Sequence, residues 1–411
     1  MSTTLSNAQP TTPEPRFTGL AEAARALQPR TVALRRQIHR HPEQGLELPA
    51  TQAAIEHALN GLPLEITTGT STSSLTAVLR GARPGPTVLL RGDMDALPLQ
   101  EETGLEYSSE VDGTMHACGH DTHVAMLASA ARLLSSRRDA LNGQVVFMFQ
   151  PGEEGHHGAR FMIEEGVLDA GGTPVEKALA LHISSTLQSG VVVSRPGPIM
   201  ASADTFTVRV TGRGGHGGMP HDAIDPVQAA AALVPAFNAL VARRVSVHRP
   251  AVVTVGRILA GTTSNIIPES ALLEGTVRTL SEETRTFVLR ELPELVAHVA
   301  AAHGCTAKVE IVPGYPVTVN DDVVGPHVVD VAASALGARW AVPMEDPLMG
   351  AEDWSYVLQK VPGAMAFLGA CPRGVDLAHA EANHSSRVLF DEAAMEHGVV
   401  VYSAFALDAL R

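Results

Sequence analysis

The chain has 411 residues, enough for two to four domains of ordinary size, which excludes a single small module. With 30 basic against 44 acidic residues, the formal net charge of −14 leaves no counterion-releasing basic surface; nucleic acid is excluded as a partner and an anionic membrane is disfavoured. A hydrophobic content of 45% without a long uninterrupted apolar run describes a soluble globular chain with no membrane-spanning segment.

In chain order, residues 1–15 are rich in Ser, Thr and Pro and have neither a basic n-region nor an apolar h-region. They read as a flexible tail rather than a signal peptide, so the cytoplasm is expected. Three scattered cysteines, too few for a disulfide framework, agree with a reducing compartment. Helices are expected over 31–39 and 50–59, a strand over 87–90, an apolar helix over 124–134, and strands over 145–149 and 178–181. Strands separated by helices imply a mixed α/β sheet with covered faces. Near Ala201 the pattern changes, because "TFTVRVTG" alternates apolar and polar residues as a half-exposed strand does. A helix over 225–243, strands over 252–258 and 271–278, a helix over 281–303 and a strand ending near Val312 complete a β-α-β-β-α-β order, the ferredoxin-like sandwich. The α/β pattern resumes at Pro313. The expected organisation is a tail (1–15), a metal-binding catalytic domain (16–201 plus 313–411) and an inserted domain (202–312). The inserted segment holds ten basic and ten acidic residues, so all of the net negative charge falls on the remainder.

Chemistry collects where the predicted strands end. The 87–90 strand leads to Asp93 and Asp95, the 145–149 strand to Glu153 and Glu154, and the 178–181 strand directly to His182. In open α/β sheets these carboxyl ends meet in the ligand crevice. The run "HACGHDTH", residues 116–123, packs three imidazoles, a thiol and a carboxylate into eight positions, a density that no packing requirement explains. Imidazole, carboxylate and thiolate donors together suit Zn²⁺, Mn²⁺, Co²⁺ or Ni²⁺, and the thiolate argues against Mg²⁺ or Ca²⁺. A closed structural zinc site would use paired cysteines, and the chain has no CxxC. More than four potential ligands beside adjacent carboxylates fit an open or two-metal catalytic site. Glu153 and Glu154, as neighbours, point different ways, so one can ligate while the other moves protons. The Gly-rich run 212–218 lacks the lysine of a phosphate loop.

Seven runs then carry a resemblance: "RRQIHRHPE", "LLRGDMDALPLQEETG", "MHACGHDTHVAMLASAA", "FMFQPGEEGHHGA", "GRGGHGGMPHDAIDP", "GTTSNIIPESALLEGTVRT" and "MGAEDWS". In order and spacing they resemble the motifs of the di-metal metallopeptidase family of aminoacylases, hippurate hydrolases and related carboxypeptidases, nearest the N-acyl amino acid amidohydrolase branch. The resemblance implies two divalent ions per subunit, zinc first among the candidates, held by Cys118, His120, Glu154, His182 and His384. It makes Glu153 the general base that takes a proton from the attacking water and returns it to the leaving amine. It places Asp95 behind a ligand histidine that it orients. It sends His216 of the inserted domain toward the oxyanion in the partner subunit's site, with Asn265 assisting and Arg278 clamping the substrate carboxylate. A homodimer or homotetramer through the inserted domain follows, acting on a small N-acyl amino acid. The sequence departs from the family pattern at Gly152 and Gly218, where Ala is common, and in a loose "NHSSRVLF" around His384; no functional side chain is lost. His39 and His41 read as structural, and Cys305 and Cys371 as packing residues.

Three rival readings remain: a dipeptidase or carboxypeptidase of the same family, an amidase using Cys118 as nucleophile with His120 or His123 as its base, and a non-catalytic metal-binding relative. The intact Glu153 argues against the last.

Overall fold

The computed structural model describes residues 14–411, so the tail expected over 1–15 lies outside the described residues apart from Glu14 and Pro15. The chain forms two compact units. The larger comprises the chain up to Ile199 together with Val319–Asp346 and Tyr356–Arg411; the smaller comprises Met200–Thr318 and Pro347–Ser355.

The chain begins with α1 (Leu20–Arg40), α2 (Pro49–Leu59), β1 (Leu64–Thr68), β2 (Leu75–Arg80), β3 (Arg83–Asp93), α3 (His120–Ser135), β4 (Asn142–Gln150), α4 (Gly158–Glu164), β5 (Val175–Ser184), β6 (Val192–Ser194) and β7 (Gly197–Met200). There follow β8 (Asp204–Thr211), β9 (Gly215–His216), α5 (Pro226–Arg244), β10 (Ala251–Ala260), β11 (Ile266–Ile267), β12 (Ser270–Thr279), α6 (Glu282–Ala302) and β13 (Thr306–Val312). The last elements are β14 (Thr318–Asn320), α7 (Val324–Leu336), β15 (Ala341–Pro343), α8 (Ser355–Leu358), β16 (Gly363–Gly369) and α9 (Met395–Ala409).

The larger unit is built on a mixed eight-stranded sheet in the order β1-β2-β4-β3-β5-β16-β6-β15. Its central strands β4, β3, β5 and β16 are parallel, and they are apolar on both faces because helices cover them. Helix α3 packs among α1, α2 and α9 and buries every residue except Arg132, so it reads as apolar all round rather than as a stripe. Helix α1 begins at Leu20, well before the expected 31, and carries Pro29 inside it. Burial of Leu20 and Ala24 against the core outweighs the interior proline, which costs about 3 kcal/mol.

The smaller unit has a four-stranded antiparallel sheet in the order β10-β12-β8-β13, with α5 and α6 on one face. Along β8, Phe206, Val208 and Val210 are buried while Thr205, Arg209 and Thr211 are exposed, the alternation read from the sequence. Helix α6 is capped by Ser281, whose side chain accepts from Thr284 N–H. Two stretches assigned to the larger domain from sequence, 313–318 and 347–355, pack with the smaller unit instead. Backbone pairing explains it: Ala203 N–H donates to Tyr315 O at 3.0 Å, and Ala201 N–H to Leu348 O and Gly350 O at 3.1 and 2.8 Å. Among the described residues no helix is long and apolar enough to cross a membrane.

Candidate metal centre

The candidate donors of the larger unit lie at the carboxyl ends of β3, β4 and β5 and in the turn that opens α3. Gly119 caps α3 at φ 91°, and a side chain there would stand 2.4 Å from Ile183 Cγ2, so only glycine makes this turn. The turn puts Cys118 just ahead of the helix N-terminus, where backbone N–H groups favour a thiolate, and His120 at the first helical position. His120 Nδ1 donates to the Asp95 carbonyl at 2.9 Å, which leaves Nε2 aimed into the cluster. The turn after β4 hangs from the same aspartate: Glu153 N–H and Glu154 N–H donate to its two carboxylate oxygens, each at 3.0 Å. Asp95 thus orients the histidine through its carbonyl, with Oδ1 also 3.4 Å from the same ring nitrogen, while its carboxylate fixes the turn that carries the two glutamates. Gly152 sits at φ 70°, a left-handed backbone that strains other residues, and a Cβ there would need the tip of Leu46, whose Cδ2 would stand 2.4 Å away, to give way.

His182 lies within β5 rather than after it; Nδ1 donates to Ile183 O at 2.7 Å, and Nε2 stands 3.4 Å from Cys118 Sγ. On the other side of the same sulfur, His384 Nε2 is 3.3 Å away, and 3.4 Å from Glu154 Oε1. His384 adopts the left-handed φ of 72° with its N–H on Ala117 O, a strained conformation of the kind kept at functional sites. Asn383 supports it by donating to Cys118 O and Ile183 O.

Among the described residues of the larger unit four sets result, the donor atoms of each lying within 4.8 Å of one another: Cys118, His120 and His182; Cys118, Glu154 and His384; His120, Glu153 and Glu154; and Asp93, His120 and His123. The structure brings together every predicted ligand, and one sulfur is common to the first two sets. Two of the donors, His120 Nε2 and Glu154 Oε1, are buried without a hydrogen-bond partner. Buried polar atoms are rarely left so, and a divalent ion is the partner that this mixture of N, S and O donors fits. Burial pushes the His182 imidazole well below its ordinary pKa, with His123 adding to the shift, so the ring stays in the neutral, ligating form. Burial raises the Cys118 thiol against the pull of His120. The His384 imidazole is pushed up to about 10 by its hydrogen bond with Cys118 and the nearby Glu154 carboxylate.

Behind the cluster runs a second network that the sequence left unassigned. Asp121 Oδ2 accepts from Arg35 Nε at 2.7 Å and from His39 Nδ1 at 2.8 Å, while His39 Nε2 faces Glu101 at 3.3 Å. All four side chains are buried, and they lock the first turn of α3 against α1. His39 is therefore structural, as read, and His41 is exposed at 4.0 Å from Glu110. His116 is buried with both ring nitrogens unbonded, and burial brings it down to about 3.

In the smaller unit, His216 on β9 pairs with Ile266 on β11, and Asn265 O accepts from Gly217 N–H at 2.8 Å. His216, Asn265, Pro268 and Glu269 line a recess of about 600 Å³. Arg278 is not part of it. It is half-buried at the far end of β12, roughly 27 Å along the strand from Ser270 at about 3.4 Å per residue, and burial lowers its guanidinium pKa.

Comparison with known proteins agrees with this geometry. The model of peptidase family M20/M25/M40 matches residues 89–408. Thermostable carboxypeptidase 1 of Saccharolobus solfataricus is 38% identical over 392 residues, 94% of this chain and 97% of that protein. N-acetylcysteine deacetylase of Bacillus subtilis is 37% identical over 348 residues, 84% of this chain and 90% of that protein. The crystal structure of the Bacillus subtilis YXEP protein, a dinuclear metal-binding peptidase of the M20 family, superposes with a TM-score of 0.81 at 32% identity, over 94% of this chain and 99% of that one. The chain belongs to peptidase family M20/M25/M40 and is a metal-dependent enzyme that hydrolyses amides.

Proposed function

We propose that the enzyme cleaves the amide of an N-acyl amino acid, releasing a carboxylic acid and the free amino acid. The observation that carries the reading is the single sulfur of Cys118 shared by two donor sets, with the Glu153 carboxylate beside them. Cys118, His120 and His182 would hold one ion and Cys118, Glu154 and His384 the other, with zinc first among the candidates. A dinuclear divalent centre, when bound, supplies Lewis acidity to the amide carbonyl and makes water a nucleophile at neutral pH.

Glu153 stands where it can take the proton of the attacking water and deliver it to the leaving nitrogen, which must be protonated before the C–N bond breaks. Its position is fixed by Asp95, which holds its N–H. Arg278, half-buried and cationic, suits the carboxylate of the amino acid product. His216 and Asn265 suit the oxyanion. The separation of Arg278 from the His216 recess within one smaller unit is too great for one small substrate. We infer that His216 serves the site of a second copy, so that the working enzyme is at least a homodimer through the smaller unit. A cytoplasmic location fits a thiolate ligand that must stay reduced.

The test strips the enzyme with chelator, restores Zn²⁺, Mn²⁺ or Co²⁺ singly, and assays a panel of N-acyl amino acids against dipeptides and longer peptides. Release of amino acid from the acyl compounds, restored by metal, supports the reading. Turnover of peptides with every acyl amino acid inert assigns the chain to the peptidase side of the family instead. Activity that survives the chelator points to Cys118 as nucleophile.

A further inference from the structure

The sheet of the larger unit opens at one place. The parallel register of β3 and β5 ends at Arg91↔Ala180. On their other sides the same strands stay paired, β3 with β4 to Asp93↔Gln150 and β5 with β16 to Ser184↔Gly369. The two strands therefore part over their last residues, those that carry Asp93 and His182. Buried backbone groups on the inner edges must then find partners outside the ladder.

Two side chains supply them. Tyr402, on α9 and fully buried, donates its hydroxyl to Arg91 O at 2.6 Å and accepts from Leu181 N–H at 3.1 Å. Two residues further along β5, His123 of α3 accepts Ile183 N–H on Nε2 at 2.7 Å. Its ring proton is thus on Nδ1, which meets Asp93 Oδ1 at 2.5 Å. Arg91 holds the other Asp93 oxygen at 2.5 Å. A hydroxyl is one atom wide and an imidazole one ring wide, so the spacer widens toward the carboxyl ends of the strands. His123 stands beside Asp93 and His120 in a buried group of ligand-type atoms, yet both of its nitrogens are already occupied.

We propose that Tyr402 and His123 are positioning residues that hold β3 and β5 apart and so set where His182 stands relative to Cys118 and His120. The inference rests on the di-metal reading above for its consequence, and on the strand geometry alone for its structure. With His123 gone, Ile183 N–H loses its acceptor and the strand end bearing His182 is free to shift.

The test compares wild type with His123→Ala, His123→Gln and Tyr402→Phe by chelator-competition metal affinity and by hydrogen exchange at Ile183. His123→Ala is expected to bind Zn²⁺ about 10- to 100-fold more weakly, the usual effect of removing a group that orients a ligand. A glutamine amide presents one donor and one acceptor much as the neutral imidazole does, so His123→Gln is expected to stay within about threefold of wild type. Tyr402→Phe, which removes only the narrow end of the spacer, should fall between them. Wild-type affinity in His123→Ala, or His123→Gln as weak as His123→Ala, overturns the proposal; the second result would mean that the imidazole itself ligates. If wild-type protein takes up no divalent ion, the di-metal reading fails. The spacer is then judged by the Ile183 amide: faster exchange in His123→Ala than in His123→Gln sustains it, and equal exchange overturns it.

Discussion

Cys118, His120 and His182 of the larger unit are at most 9% exposed; the two imidazoles are tied to backbone carbonyls through Nδ1, and Cys118 is held through its own carbonyl, which accepts from the Asn383 side chain. In the smaller unit His216 and Asn265 are exposed, on or beside two-residue strands, and Arg278 is only half-buried. The contrast is what the proposed roles of the two sets would require. A metal centre needs donors fixed before the ion arrives, because small errors in donor position cost affinity, and burial among hydrogen bonds fixes them. Groups that meet a substrate must instead stay reachable until it binds.

The sharpest attack on this contrast is at the shared sulfur. Cys118→Ala removes a donor common to two sets, so it should leave at most one bound ion and only background turnover, measured by metal analysis and assay together. Two ions and substantial turnover in that variant would show that the sets do not share a ligand. Glu153→Gln should lower kcat by about 10²- to 10⁴-fold, the range for a lost general base, with metal content unchanged. Near wild-type turnover would assign the base elsewhere.

The smaller unit is tested next. His216→Ala should lower kcat by about 10²- to 10³-fold, as loss of an oxyanion donor does, without altering metal content. Mixing Glu153→Gln with His216→Ala adds a stronger condition. If His216 serves the second copy's site, each mixed dimer contains one intact combination and activity returns; if no activity returns on subunit exchange, His216 serves its own chain. Arg278→Ala should mainly raise KM, by about tenfold for one charge-assisted hydrogen bond. A change confined to kcat would remove Arg278 from substrate binding.

The sequence made the metal cluster legible because Cys118, His120, Glu153, Glu154 and His182 crowd the ends of periodic strands, and because the fold puts such ends together. His384 came only by family resemblance, since its long loop has no periodicity to place it. Tyr402 was invisible: α9 reads as an apolar helix, and nothing local marks its one tyrosine as the partner of two sheet strands. His123 reads in the sequence as one of three clustered imidazoles and as a candidate base for Cys118, and only the Ile183 and Asp93 contacts set it apart from the candidate ligands. The edge hairpin β1–β2 escaped notice because Leu64–Thr68 is mostly exposed and carries too few apolar residues to signal a strand. The outer limits of the smaller unit depended on backbone pairing with 313–318 and 347–355, which no hydrophobic pattern reveals.

The smallest expected effect separates the metal centre from the scaffold behind it. Burial alone would lower the His39 pKa, but Asp121 and Glu101 outweigh it and raise the value above 6.5. Burial would raise Glu101, but its hydrogen bonds with His39 and Thr103 bring it down to about 2, and Arg35 and His39 hold Asp121 well below the usual carboxylate range. The sign then differs by group. The His39 contribution is complete below about pH 6.5 and is lost as pH rises through its raised folded value, whereas the carboxylate contributions are complete above about pH 4.5 and are lost as pH falls. Metal binding moves the other way on the alkaline side, because deprotonated ligands bind better. With chelator present, Tm should therefore decline above pH 6.5, and His39→Gln should flatten that decline. With saturating metal the same variant should differ less from wild type as pH rises, because the wild-type protein also loses its His39 contribution. Parallel pH profiles for wild type and His39→Gln in chelator would show that His39 carries no proton-linked stability, leaving Arg35 alone to hold Asp121 and the first turn of α3.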